Sequence, residues 1–220
     1  MKVISIETGR VLQLFVPDEI KPSGGIYLPE LIKLVTERYG FTKPATIEMT
    51  DKGGAKFEYG QLISGSRKVN LREVGIYNDG VIIVADNTTD ADFATDDALM
   101  WARHAFNLRE PDTKIPRRYT SQVVVEFEKP IDSALKAFDG VRRQLAETLK
   151  RSQGIDAKMD ILKIGFNADP MSVPPLLNTE FLIERRLQQP YSKNRFFCTA
   201  QLRTEEHIKL LENFETSALS

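Results

Sequence analysis

The sequence predicts an α+β fold made of two closely packed mixed modules, residues 1–110 and 111–220. Three observations carry that prediction. β-branched, strand-like runs and amphipathic helical runs follow one another without the regular βαβ alternation of a doubly wound sheet. The stretch NLREPDTKIPRRY, residues 107–119, holds Pro111 and Pro116 and few apolar side chains, so it reads as an extended connector. Finally, 220 residues with 41% hydrophobic content are enough to bury a core without metals or disulfides.

In the first module, residues 3–6 and 11–16 read as strands around a turn at Thr8-Gly9. Leu28, Leu31, Ile32, Val35 and Tyr39 recur at helical spacing and predict a helix over 28–39. Pro29 sits in its first turn and Gly40 follows as a C-terminal cap. Short strands are expected near 46–49 and 56–63. Residues 74–77 and 81–84 flank Asn78-Asp79-Gly80, a strong hairpin signal. A helix over about 95–106 closes the module, with Asp96 and Asp97 in its first turn.

The second module reads strand, helix, three strands, helix. Residues 121–127 are β-branched and strand-like. Ile131, Leu135, Phe138, Val141, Leu145 and Leu149 make a stripe at three- and four-residue steps, which predicts one long helix over 131–151. A strand over 158–166 follows, then a hairpin of 181–187 and 196–202 turning over 190–194. Thr204 begins the last helix, with Glu205 and Glu206 in its first turn.

Charge and cysteine content exclude several classes. Thirty basic and 31 acidic residues leave a formal charge of −1, which argues against a chain-wide basic nucleic-acid binder. The single cysteine, Cys198, excludes an intrachain disulfide and a multi-cysteine metal site. No apolar run reaches the roughly 18 residues of a membrane span, and the N-terminus does not read as a signal peptide, so a cytoplasmic address is expected.

Two groups of side chains offer candidate sites, and each has a plainer reading. Arg185, Arg186, Lys193 and Arg195 lie in the last hairpin beside Phe197, with Arg117 and Arg118 in the connector. Arginines beside aromatics stack bases and neutralise phosphates. The plainer reading is a hairpin with one core face and one solvated face. Asp86, Asp90 and Asp92, in the acidic stretch 86–97, offer oxygen ligands to a divalent cation. The plainer reading there is a loop and a helix start. Neither glycine loop, Ser23-Gly24-Gly25 or Gly65-Ser66, completes a phosphate-binding motif. Cys198 alternates with Phe196 and Ala200 on an inward face, away from nucleophilic duty.

The reading favoured by the sequence is a non-catalytic cytoplasmic interaction protein, oligomeric or a subunit of a larger assembly, with itself or another protein as partner. It assigns no catalytic residue, cofactor or membrane contact and leans away from an enzyme. The apolar, proline-rich segment MSVPPLL at 171–177 supports a contact surface. Two alternatives stand beside it: a nucleic-acid-binding protein using the basic, aromatic hairpin, and a divalent-metal-dependent phosphoester enzyme using the three aspartates.

Overall fold

The computed structural model describes residues 1–20, 26–48, 53–110, 116–174 and 179–218. The fold is α+β with antiparallel strand pairing, and the chain forms two compact units. The larger comprises residues 6–122 and 201–204, and the smaller comprises 1–5, 123–200 and 205–220. The chain passes between them at 5/6, inside strand β1 (Lys2–Leu14), at 122/123, inside β6 (Arg118–Glu126), and at 200/201 and 204/205, whereas the sequence reading divides it at 110/111.

In the larger unit the sheet order is β2 (Thr46–Glu48), β3 (Gly54–Ser64), β4 (Arg67–Tyr77), β5 (Gly80–Ala85), β1. β1 pairs antiparallel with β5 in unbroken register from Gly9↔Ala85 to Leu14↔Gly80. The expected turn at Thr8-Gly9 is therefore replaced by one continuous strand. Gly9 serves close approach instead: a Cβ there would stand 2.0 Å from both Asn87 C and Thr88 N. The hairpin expected at Asn78 forms, with Tyr77 paired to Gly80.

After the short α1 (Pro17–Ile20), α2 (Leu28–Tyr39) forms as the periodicity predicts and buries Leu31, Val35 and Tyr39. Gly40 ends it in the left-handed region at φ 59°, donating its N–H to Thr36 O. α3 (Thr88–Phe106) begins seven residues before the expected start, inside the stretch read as a loop. Asn87 caps it by accepting the Asp90 N–H at 2.8 Å. Its buried residues are small: Thr88, Ala91, Ala94 and Thr95. Thr88 and Thr204 clasp each other, each hydroxyl accepting the other's backbone N–H, at 3.1 and 2.7 Å. Val11, Phe57, Leu71, Val74 and Ile83 centre this unit's core.

In the smaller unit β6 is followed across the sheet by β9 (Arg195–Ala200), β8 (Phe181–Arg185) and β7 (Lys163–Phe166). β7 is shorter than the strand expected over 158–166. α4 (Asp139–Gln153) and α5 (Thr204–Ala218) complete the predicted order of strand, helix, three strands, helix. The core gathers Val123, Val125, Phe127, Ile183, Phe196, Cys198 and Leu211. The expected long helix is split. Residues 131–138 are 3-10, Leu135 leaves helical geometry at φ −118° and ψ 24°, and the α-helix starts only at Asp139. A 3-10 run turns every three residues, so the stripe read from the sequence does not stay on one face. Ile131 is buried, while Phe138, Val141 and Leu145 are exposed.

Candidate functional site

In the larger unit α2 contacts β3, and α3 contacts β4 and β5. Their closure leaves a cavity of about 380 Å3. Leu31, Val35 and Tyr39 of α2 and Leu99, Trp101 and Phe106 of α3 line it on the helical side. Phe15, Val74, Ile76 and Val81 line it on the sheet side. Small side chains stand on the helical side: Ala98 and Ala102, one turn apart on α3. No described lining residue carries a charge. Hydrogen-bonding side chains in the wall are Tyr39, Tyr77, Trp101 and Asn78, the last of them exposed.

Arg38, beside the lining residue Tyr39, ties α2 to α3. Its Nη2 donates to both oxygens of Asp97, at 2.9 and 2.8 Å. The Tyr39 hydroxyl donates to Asp97 Oδ2 at 3.0 Å. The guanidinium also lies over the Trp101 ring, 5.2 Å from its centroid. Burial, reinforced by the Asp97 charge, pushes the Tyr39 hydroxyl far above its ordinary value, against the pull of Arg38. Tyr39 therefore stays a neutral donor, and Arg38 and Asp97 neutralise each other.

The basic residues singled out from the sequence occupy different settings. Arg185 is 3% exposed, on the core face with Ile183, where register pairs it with Phe196. Its Nε donates to Ile161 O at 3.0 Å and its Nη1 to Tyr191 O at 3.2 Å. Arg195 donates through Nη2 to Glu126 at 2.8 Å. Arg186 and Lys193 are exposed, and Phe197 is half-buried with Arg186 5.9 Å from its ring centroid. Arg117 and Arg118 belong to the larger unit. Arg117 is held by Asp92 and Asp96, both at 2.5 Å, and by Gln13 at 2.7 Å. Arg118 is half-buried.

Each of the three aspartates has its own guanidinium. Asp86 accepts from Arg72 at 2.9 Å, Asp90 from Arg67 at 2.8 Å, and Asp92 from Arg117 at 2.5 Å. Arg203 adds a second cation beside Asp92, at 3.1 Å. Burial works to raise the Asp92 carboxyl, and the guanidiniums outweigh it, leaving it below the usual carboxylate range. Among the described residues no group of three or more His, Cys, Asp or Glu side chains is placed to hold a metal ion. Gly65 and Ser66 form the turn between β3 and β4, across which Ser64 pairs with Arg67. The other glycine loop, 23–25, and residues 175–177 of the proline-rich segment lie outside the described residues. Burial pushes the Cys198 thiol well up, so it stays protonated at neutral pH.

No protein-family model matches the chain, and no curated protein matches it. The cavity was not visible in the sequence. Its α2 wall was legible as a helical stripe, but the walls belong to elements that only the tertiary packing brings together. The nearest sequence signal is the recurrence of large aromatics, Phe15, Tyr39, Trp101 and Phe106, through one module.

Proposed function

We propose that this is a non-catalytic binding protein that holds a small apolar molecule in the cavity between α2, α3 and the sheet of the larger unit. The supporting observation is the cavity itself. At about 380 Å3 it falls within the range of ligand sites, and its described lining is apolar and aromatic with few polar groups. The chain's one tryptophan, Trp101, stands in the wall and gives a direct reporter. Titration with N-phenyl-1-naphthylamine, a neutral apolar fluorophore, is expected to show saturable one-site binding with energy transfer from Trp101. Ala98→Phe, which fills the space, is expected to abolish it. A linear, unsaturable signal, or equal binding by the filled variant, overturns the reading.

A second reading, docking of a further protein on the smaller unit, draws on α4. Phe138, Val141 and Leu145 are 53, 54 and 47% exposed, so an apolar edge of this helix faces solvent. Self-association through it is expected to show in light scattering as a mass above 24.9 kDa that falls to that value in a Val141→Lys, Leu145→Glu variant. A strict monomer that captures no partner would count against this reading. Among the described residues no helix is long and apolar enough to cross a membrane. A cytoplasmic location is part of the proposal, supported by a lone, buried cysteine.

A further inference from the structure

We infer that the cavity selects an uncharged, largely hydrocarbon molecule of about 15 non-hydrogen atoms, scaling from the roughly 150 Å3 that accommodates the six carbons of benzene. This rests on the apolar-ligand reading above and goes further, because it fixes the charge and size class of the ligand.

The described walls offer a charged group no partner. None of the described lining side chains is ionisable near neutral pH, since Tyr39 and Tyr77 are phenols and the rest are apolar, amide or indole. A carboxylate or ammonium drawn fully inside would shed its water without gaining a counter-charge from the described lining, and such burial is strongly unfavourable. The nearby ion pair cannot supply one. Both Asp97 oxygens accept from Arg38, and the Arg38 guanidinium is stacked against Trp101. Taking either partner for a ligand would strand the other and break the tie between α2 and α3.

The test uses three ten-carbon probes, each below its micelle-forming concentration, at a pH where decanoate and decylammonium are both ionised. Decan-1-ol is expected to change Trp101 emission saturably and to bind at least about tenfold more tightly than either ion. Ala98→Phe, or the milder Ala102→Leu should the first fail to fold by circular dichroism, is expected to remove the decan-1-ol response. Decanoate or decylammonium binding as tightly as the alcohol overturns the charge rule and leaves the apolar-ligand reading standing. Silence from all three while N-phenyl-1-naphthylamine still binds overturns the hydrocarbon class. Silence from all four probes overturns both readings.

Discussion

Gly9→Ala is expected to cost the protein about 3 kcal/mol or more, or to prevent it from folding, because overpacking against fixed backbone has no cheap relaxation. The added methyl would fall 2.0 Å from Asn87 C and Thr88 N and 2.5 Å from Asn87 O. None of these is the end of a flexible side chain. They are the backbone on which α3 begins, and that backbone is pinned from three sides. Asn87 is engaged in capping Asp90, Thr88 is clasped by Thr204, and β5, which ends at Ala85, is paired with β1 itself. The strand and the helix start would have to separate, and α3 carries one wall of the cavity. Gly140→Ala is the control, since nothing lies within 4 Å of a Cβ there and the residue sits in a helix. Urea midpoints of the three proteins decide the matter, and a Gly9→Ala midpoint equal to the parent's would sink the argument.

The second large effect is pH-dependent. His207 of α5 is fully buried, and among the described residues neither ring nitrogen has a hydrogen-bond partner. Its ring meets Phe181 edge-on, with centroids 5.8 Å apart. Burial lowers its pKa from 6.5 to about 4. In the unfolded chain the same imidazole binds a proton near pH 6.5, so between these values the unfolded state holds more protons and stability rises with pH. Above pH 6.5 the group contributes no pH dependence. As pH falls through the window the penalty grows, to about 2 kcal/mol at pH 5. His207→Leu is expected to remove that loss. Comparing urea midpoints at pH 7.5 and 5.0 in parent and variant isolates the term, because Glu215 and Asp92, both held below their ordinary values, lose their contributions only in more acidic solution. Equal acid sensitivity in the two proteins would show that His207 is not the cause.

Both effects hinge on residues whose setting the sequence hides. Gly9 beside Thr8 reads as a turn, because a glycine's conformational freedom is a local signal and its lack of a side chain matters only against a distant neighbour. α3 is a similar case. It buries alanines and threonines, so large apolar residues do not mark its first two turns, and its aspartates and threonines resemble loop chemistry. Where the determinants were local, the reading succeeded. Gly40 closes α2 and the Asn78 turn makes a hairpin. α5 begins at Thr204 as expected, but the Thr204 hydroxyl that reads as a cap accepts from the distant Thr88 N–H. The stripe from Ile131 to Leu149 fell between the two cases. Its periodicity is real, but the 3-10 start rotates Ile131 into the core and leaves Phe138 outside. Among the basic residues, the expected hairpin with one core face and one solvated face left open which face Arg185 would take. It could not show that the guanidinium would be engaged by the carbonyls of Ile161 and Tyr191.

The pairing of β1 has a consequence for synthesis. Gly9 finds its partner in Ala85, 76 positions later. At ribosomal rates of about 5–20 residues per second, the opening segment of the chain waits roughly 4–15 s before that neighbour exists. During this interval a 13-residue β-forming stretch, KVISIETGRVLQL, has no native neighbour to bond with. Nascent chains cut short before β5 are therefore expected to carry β1 without the strand it pairs with, and to aggregate more readily than chains that extend past Ala85.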